Sequence, residues 1–290
     1  MPSTRDIRRR IRSVKNTAQI TKAMQMVAAS KMRKAQQAAL AGRPYAQLMN
    51  RVLAAVAAET ADDSHPFLQQ RPAAQRCLIL VSTDKGLCGG LNSNLMREAA
   101  KFDAGAVFIA AGRKGSQFLA RTQRRMVAEF TFKDAPLFAE ARAISKFAGD
   151  LFLKGEVDRV DILFTNFVST LVQKPETRQL LPISEVVAVK AGMGAERAGA
   201  LPEPAGEFLF EPSRERVLAA LLPHSLNFQI YQILLEAKAS EHSARMVAMK
   251  NATDNAQQFI KDLTLEYNKL RQANITKELL EIASAAMAMG

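Results

Sequence analysis

The C-terminal stretch without helix breakers is the feature that most constrains the fold. Between Pro223 and Gly290 the chain contains neither proline nor glycine over 66 residues. A continuous α-helix of this length would be about 100 Å long, because each residue adds about 1.5 Å. No compact domain can surround such a helix, so it must pair with another helix.

The residues of this stretch follow the spacing of a coiled coil. Apolar and small side chains recur at alternating steps of four and three, as a helical seam requires. The positions are Leu226, Ile230, Ile233, Ala237, Ser240, Ala244 and Val247, then Ala256, Ile260, Leu263, Tyr267 and Leu270, then Ile275, Leu279, Ile282 and Ala286. The register shifts between these three blocks, which predicts looser packing at the shifts.

The N-terminal segment offers a partner helix. No proline or glycine occurs between Ser3 and Ala41, and the triplet Gly42-Arg43-Pro44 predicts a break before helical composition resumes to about Glu59. The same alternating spacing marks a seam at Ile7, Ile11, Val14, Ala18, Thr21, Gln25, Ala28, Met32 and Ala35, with a second stripe at Ile20, Met24 and Val27. We therefore expect the two terminal helices to pair.

Between the helices the pattern changes to alternating strands and helices. Apolar runs rich in Val, Ile and Phe occur at 77–83, 106–111, 126–131 and 160–167, and helical spacing occurs at 91–102, 114–121 and 138–152. This alternation predicts a parallel sheet covered by helices, with further strand-like residues at 170–183. A low-complexity loop at 190–206 is expected to be mobile. The predicted domains are an N-terminal coiled-coil helix (1–60), an α/β domain (70–210) and a C-terminal coiled-coil helix (213–290).

Charge is concentrated at one end of the chain. The net charge is +12, and residues 1–51 contain twelve Lys and Arg but one acid, Asp6. A basic helix needs an acidic neighbour, which can be a nucleic acid, an anionic lipid or an acidic protein surface. A solvated surface without a partner is the alternative.

The glycine-rich sequence STDKGLCGGLNSNL, residues 82–95, suggests a phosphate-binding loop. A Walker loop requires the lysine after the second glycine, whereas Lys85 here precedes Gly86. The spacing of Gly86, Gly89 and Gly90 also fails the dinucleotide pattern, and Asp84 would repel phosphate. We therefore predict that these glycines turn the chain from a strand into a helix near Leu91 and bind no nucleotide.

Other catalytic and metal-binding patterns are missing from the sequence. His65, His224 and His242 lack ligand spacing, so neither a metal site nor a cofactor is expected. The two cysteines, Cys77 and Cys88, favour a reducing compartment over a disulfide scaffold. No run of 18 apolar residues and no signal peptide is present.

Three stretches carry a family resemblance that spans essentially the whole chain. RIRSVKNTAQITKAMQMVAASKMRKA at residues 10–35 resembles the N-terminal helix of the γ subunit of F-type ATP synthase. STDKGLCGGLNSNL resembles the short central motif of that family. ASEHSARMVAMKNATDNA (239–256) and LEYNKLRQANITKELLEIASAAMA (265–288) resemble its C-terminal signature. Ala285-Ala286 departs from the usual Gly-Ala, and no cysteine-bearing insert of the chloroplast type is present, which favours a bacterial enzyme.

The resemblance implies a mechanical, non-catalytic subunit. In that family the terminal helices form an antiparallel coiled coil inside a ring of three α and three β subunits. A Rossmann-like α/β domain is inserted between the helices, and it sits with the ε subunit on the membrane c-ring. The implied role is the central rotor shaft that couples proton flow to ATP synthesis or hydrolysis, peripheral to the cytoplasmic face of the bacterial inner membrane.

The resemblance also implies contact residues, carried over by position. Met24 aligns with a position that faces the β lever, and Lys22 is assigned to the same contact as a nearby base. The family uses Arg, Gln and Thr at the positions of Arg271, Gln272 and Thr276 to engage a loop of one β subunit at a time, and Glu278 is assigned to the same surface. Phe210 and Glu211 are assigned to the foot of the rotor that meets the c-ring and ε.

Two other functions remain open at this point. A nucleic-acid-binding or scaffolding coiled coil could use residues 1–51, although Tyr45 is the one aromatic residue there. An enzyme could be built on residues 70–210. Salt-dependent DNA affinity would favour the first alternative, and saturable ligand binding the second.

Overall fold

The computed structural model describes residues 3–58, 65–72, 74–103, 105–183, 211 and 213–289. The chain divides into two compact units, which are treated separately below. The first comprises residues 1–27 and 246–290, and the second comprises residues 28–245. The loop at 190–206, which we expected to be mobile, lies outside the described residues.

The elements follow the predicted order of helix, α/β insert and helix. The helices are α1 Thr4–Ala41, α2 Arg43–Ala58, α3 Leu91–Ala100, α4 Arg113–Arg121, α5 Phe138–Leu153 and α6 Arg214–Met289. The strands are β1 Arg76–Val81, β2 Val107–Ala111, β3 Met126–Phe130, β4 Arg159–Phe167 and β5 Gln173–Leu181. The break between α1 and α2 falls at Gly42, as the Gly42-Arg43-Pro44 triplet predicted.

The five strands form one sheet in the order β3-β2-β1-β4-β5. β1 to β4 are parallel to their neighbours, whereas β5 runs antiparallel to β4. The expectation of a parallel sheet is therefore correct for the four strands on which it rested, and the further strand-like stretch adds an antiparallel fifth strand. Only residues 168–172 separate β4 from β5, and a parallel pairing needs a crossover of about a dozen residues.

Side chains of the central strands point alternately to the two faces of the sheet, and each face has its own hydrophobic core. On one face, Leu78 and Leu80 of β1 pack with Leu95 of α3 and Leu119 of α4. On the other face, Ile79 packs in a core built from α5 and the first turns of α6. The continuous apolar run of β1 is explained by burial on both faces, as in other doubly wound sheets.

Helix α6 contains Pro223 and begins before it. The ring of Pro223 removes one helical hydrogen bond, which usually ends or kinks a helix. Here Leu218, Leu222 and Leu226 flank the proline and are all buried in the larger core. Burial of three leucines, at about 1.5–3 kcal/mol each, compensates for the lost bond.

The helices of the second unit pair antiparallel. Gly42 lies so close to Gln232 that a β-carbon at position 42 would collide with its side-chain amide. Tyr45 contacts His224 and Phe228, so residue numbers rise on α2 as they fall on α6.

The helices of the first unit meet along the predicted seam. Thr21 and Thr253 share a hydrogen bond of 2.7 Å between their hydroxyls, and Ile7 and Leu263 are buried. The six predicted seam positions of α1 in this unit, from Ile7 to Gln25, are buried or half-buried, and so are the three in the second unit, which confirms that seam. In the second stripe, Ile20 and Val27 are exposed by 61% and 55%.

Among the described residues, no helix packs against the last block of the C-terminal seam. Thr4 begins α1 seventeen residues before Thr21, and Leu270 lies seventeen residues after Thr253. Because the two helices are antiparallel, the first residue of α1 lies about opposite Leu270, and α1 does not extend along the rest of α6. Ile275, Leu279 and Ile282, predicted as seam positions, are exposed instead.

Candidate partner-binding surfaces

The four predicted contact residues of α6 all lie on its unpaired end. We call residues 271–285 the α6 end, and every one of them is exposed. The hydroxyl of Thr276 donates to the carbonyl of Gln272 at 2.9 Å, so it is held against the helix backbone. Arg271, Gln272 and Glu278 make no side-chain ion pair within the described part of the chain, which leaves them available to a partner.

The α6 end is also rich in exposed apolar side chains. Ile275, Leu279, Leu280 and Ile282 are each exposed by about half or more. A contiguous apolar surface of this kind on a folded protein marks an interaction site. The combination of apolar side chains with an arginine suits a protein partner, because the cores of interfaces are apolar and interfaces are enriched in arginine.

Lys22 and Met24 belong to a second surface, on α1. Lys22 is exposed and Met24 is half-buried beside the seam. Nearby, Ile20, Met26 and Val27 are exposed, so apolar and basic groups are mixed here. Of the seven Lys and Arg between Arg5 and Lys22, Arg9 alone forms an ion pair within the described residues, with Asp6 at 3.1 Å. We call residues 5–27 the α1 surface.

The structure does not bring the two sets of predicted residues together. Thr253 pairs with Thr21, next to Lys22, and Arg271 lies eighteen residues further along α6. At 1.5 Å per residue this separates them by about 27 Å along the helix. The chain therefore presents two independent surfaces.

Only one residue of the predicted rotor foot can be located. Glu211 is exposed in a bend three residues before α6 begins, and Phe210 lies outside the described residues. The foot assignment therefore stays a prediction.

The glycine-rich loop is closed by hydrogen bonds from its own unit. Gly89 adopts a φ of 59°, which favours glycine, and α3 begins at Leu91 as predicted. The hydroxyl of Thr83 donates to the carbonyl of Lys85 at 2.8 Å. The guanidinium of Arg245 donates to the carbonyls of Lys85 and Gly86 at 3.2–3.3 Å.

The acidic residue of this loop caps a neighbouring helix. A side-chain oxygen of Asp84 accepts from the backbone N–H of Arg113 at 3.0 Å, at the first residue of α4. The hydroxyl of Ser82 accepts from the backbone N–H of Gly115 at 2.7 Å. Two of the N–H groups that could bind an anion at this helix end are thus already paired.

Helix α6 covers the position where sheets of this type bind ligands. That position is the carboxyl edge between β1 and β4, where the strand order reverses. Ala244 packs on Cys88 in the loop after β1, and the hydroxyl of Ser243 donates to the carbonyl of Thr170 after β4 at 2.8 Å. The crevice is occupied by the chain itself.

The covering segment carries a buried cluster of charges. Lys238 bonds to Glu241 at 3.0 Å, and Glu241 accepts from Arg245 at 2.8 Å. Lys238 also lies 3.9 Å from Asp134, which in turn pairs with Lys31 of α1. The cluster connects α1, α6 and the residues before α5 by ionic contacts.

The pKa values of Asp134 and His242 in this cluster are both lowered, but for different reasons. Hydrogen bonding from Lys31 lowers the pKa of Asp134. Burial lowers the pKa of His242 to about 4, with Glu241 opposing and Arg245 adding to the shift. His242 is therefore neutral at pH 7, and its Nε2 has no hydrogen-bond partner among the described residues.

Sequence reasoning missed the role of this cluster. Residues 236–245 are polar around most of the helix, yet six of the ten are buried polar residues. A polar helical stretch normally predicts solvent exposure. The available signal was the mixture of both charge signs with Ser and His, which allows burial because the groups can satisfy one another.

No helix among the described residues has the length and hydropathy needed to cross a membrane. Within the same residues, no group of three His, Cys, Asp or Glu side chains is arranged to hold a metal ion.

Comparison with solved structures supports the fold. A chain of the Euglena gracilis mitochondrial ATP synthase, from a structure of OSCP/F1/c-ring in rotational state 3, matches with a TM-score of 0.69. The match covers 99% of this chain and 94% of that one at 20% identity. A chain of the central stalk/c-ring of the Tetrahymena thermophila enzyme matches with a TM-score of 0.58 at 25% identity, covering 80% of this chain and 99% of that one.

Comparison with related sequences identifies the family more specifically than the comparison of structures does. The family model described as ATP synthase matches residues 3–289. The ATP synthase gamma chain of Opitutus terrae is 52% identical, with 99% of both chains covered. The gamma chain of Methylacidiphilum infernorum is 48% identical over the full length of both. These matches extend over both units and include the α1 surface and the α6 end, and the chain belongs to the ATP synthase gamma chain family.

Proposed function

We propose that this chain is the central rotor shaft of an F-type ATP synthase and that it is itself non-catalytic. The observation that carries the proposal is the α6 end, which continues about fifteen residues beyond its partner helix with every residue exposed. A helix with exposed Ile, Leu and Met side chains needs a surrounding surface to cover it. A ring of α and β subunits supplies such a surface.

An asymmetric shaft gives the coupling its physical basis. A pair of helices cannot match a three-fold ring, so each β subunit faces a different set of side chains. A subunit changes conformation when its contacts favour one state over another, and the shift is limited by that difference in free energy. Rotation would move the favoured contacts from one β subunit to the next.

The α1 surface and the α6 end have different roles in this proposal. The unpaired bases near Lys22 and Met24 suit an acidic lever on β, since an acidic surface would neutralise them. Arg271, Gln272, Thr276 and Glu278 would form charge-assisted hydrogen bonds with a β loop in one rotary position and release them in the next. The basic segment is then a protein-binding rather than a nucleic-acid-binding element.

The remaining partners are assigned to the α/β domain. Phe210 and Glu211 would contact the ε subunit and the c-ring, at the cytoplasmic face of the bacterial inner membrane. The closed glycine loop and the covered crevice support the proposal that this domain needs no cofactor. Nucleotide would bind elsewhere in the complex.

Purification from native membranes tests the assembly. A tagged copy of the full chain should recover α and β subunits after mild detergent extraction, together with ε and the c-ring. A tagged chain truncated after Leu270 serves as the comparison, because it keeps the unit of residues 28–245 and the paired part of the other unit but loses the α6 end. Recovery of neither α nor β by the full chain would overturn the proposal.

Calorimetry tests the assignment of the glycine loop. ATP, ADP and NADH should release no binding heat with the purified full chain. A micromolar dissociation constant that Lys85→Ala abolishes would show that the loop holds phosphate after all.

A further inference from the structure

A pocket between α5 and α6 is not used by the proposed rotor function. We call it the α5–α6 pocket, and its volume is about 270 Å³. Phe67, Leu226 and Pro223 form its apolar wall, and Arg142 and Lys146 stand at its rim on α5. All of these residues lie in the unit of residues 28–245.

The pocket exists because of the small residues on the inner side of α5. A β-carbon on Gly149 would lie 3.3 Å from the ring of Phe67, a tighter contact than most side chains make. Ser145, one turn earlier, is also small and is exposed by only 3%. Larger side chains at these two positions would fill the space between the helices.

The polar groups of the pocket are unpaired within the described residues. Ser145 makes no side-chain hydrogen bond there, and neither Arg142 nor Lys146 forms an ion pair. The hydroxyl of Ser145 is therefore free to donate a hydrogen bond to a ligand that enters the pocket. The two cations are four residues apart, which places them on the same face of α5.

The charges also define a direction along the pocket. Asp150 lines the same rim one turn beyond Lys146, so the rim is positive at Arg142 and negative at Asp150. Leu153 and Phe67 lie towards the acidic end. An occupant with one anionic head near Arg142 and an uncharged tail near Leu153 matches this order, whereas a second acid would be repelled.

We propose that the α5–α6 pocket binds a small amphiphilic monoanion, a medium-chain carboxylate, with its head on Arg142 and Lys146. The volume accommodates about nine water-sized groups at ~30 Å³ each. That is roughly the size of a carboxylate with eight carbons in all. The carboxylate accepts from the two cations and from Ser145, and the tail covers the rings of Phe67 and Pro223.

Calorimetric titration of the full chain with octanoate tests the proposal. Octanoate should bind with a dissociation constant of about 10⁻⁴ M, as expected for a ligand of this size. Acetate, which lacks the tail, and octylammonium, which reverses the charge, should not bind measurably. Equal binding of octylammonium would show adsorption through the tail alone and would overturn the proposal.

Two variants locate the site. Arg142→Ala combined with Lys146→Ala should raise the dissociation constant for octanoate about tenfold or more, because two charge-assisted bonds are lost. Arg97→Ala combined with Arg121→Ala removes the same charge from exposed positions on α3 and α4 and should leave binding unchanged. Equal weakening by both pairs would mean non-specific attraction and would contradict the proposal.

A filling variant gives an independent measurement. Asn227→Leu, on the α6 wall, should weaken octanoate binding while the circular dichroism spectrum and thermal midpoint stay near those of the parent chain. The competing occupant is a tripeptide with leucine between two aspartates, which the acidic end of the rim at Asp150 should repel. Binding of that peptide without octanoate would identify a protein-docking pocket instead and overturn the small-ligand assignment.

Discussion

Two segments of α6 contrast sharply although they belong to the same helix. Residues 236–245 contain buried Glu, Lys, Ser and His side chains, and their charges are paired within the chain. Residues 271–285 contain Leu and Ile side chains, and all of them are exposed. In the first segment polar residues are inside, and in the second apolar residues are outside.

The contrast separates groups that stabilise the fold from groups that await a partner. A buried ion pair raises stability little by its presence, but removal of one member leaves an uncompensated charge. An exposed apolar helix adds nothing to the stability of its own chain until something covers it. Substitutions in the first segment should therefore affect folding, and substitutions in the second should affect assembly and turnover.

The largest expected effect is on folding, from Lys238→Met. The side chain of Lys238 is 2% exposed and is surrounded by Glu241, Asp134 and the ring of Phe132. Its loss should reduce the free energy of unfolding by about 3–5 kcal/mol, because Glu241 then stays buried with less compensation. Chemical denaturation followed by circular dichroism measures the change.

Lys277→Met is the matched control on the other segment. Lys277 pairs with Glu281 at 3.6 Å, also along α6, but both side chains are about two-thirds exposed or more. Its replacement should cost under about 0.5 kcal/mol. Similar losses for both variants would remove the distinction between the two segments.

The next effect is a pH dependence from His242. Its pKa is about 4 in the folded chain against 6.5 for the unfolded one, so only the unfolded chain gains a proton between these values. The neutral, buried His242 therefore contributes up to about 3 kcal/mol to the free energy of unfolding above pH 6.5. This contribution is lost as the pH falls towards 4. His242→Gln should flatten the stability curve in this window.

The comparison of parent and variant isolates His242 from other groups. His65 also has a lowered pKa, but it is present in both proteins and cancels in the difference. Asp134 interacts with His242, but its pKa is lowered from the ordinary value of 3.8, so its carboxylate stays ionised throughout this pH window. Denaturation midpoints at pH 7, 5.5 and 4.5 give the result. A parallel loss in both proteins would assign the pH dependence elsewhere.

A smaller effect, on turnover rather than folding, is expected from Arg271→Ala and Gln272→Leu. A charge-assisted hydrogen bond is worth about 1.5–3 kcal/mol, enough to bias one rotary position without locking it. ATP hydrolysis by the assembled complex should slow several-fold, while the unfolding midpoint of the isolated chain changes little. Single-molecule recordings should show longer pauses of one class at unchanged speed between pauses. Assembled variants that hydrolyse ATP at the parental rate would place these residues on ordinary solvated surface.

The smallest expected change concerns Met24→Lys on the α1 surface. The substitution adds a base beside Lys22, at a half-buried position next to exposed Ile20. A stronger ionic contact with an acidic β surface should impede rotation and reduce proton pumping per ATP hydrolysed. Fluorescence quenching in reconstituted vesicles measures the coupling. Unchanged coupling would show that Met24 does not face β.

The sequence by itself determined the elements and the family. Spacing of small and apolar residues predicted the α1 seam, because a coiled coil has the same local repeat whatever surrounds it. The strand–helix alternation, the break at Gly42 and the helix start at Leu91 were also local properties. The family could be identified because each of its motifs is a continuous stretch of the sequence.

Only the tertiary structure decided which side chains the chain satisfies internally. The polar segment 236–245 is buried because loops after β1 and β4, more than sixty residues distant in sequence, supply its partners. Ile275 and Leu279 are exposed because α1 begins at Thr4 and ends its pairing opposite Leu270. Local periodicity predicts neither the burial of residues 236–245 nor the exposure of Ile275 and Leu279. Burial depends on which distant segments pack against a helix and on where its partner helix ends.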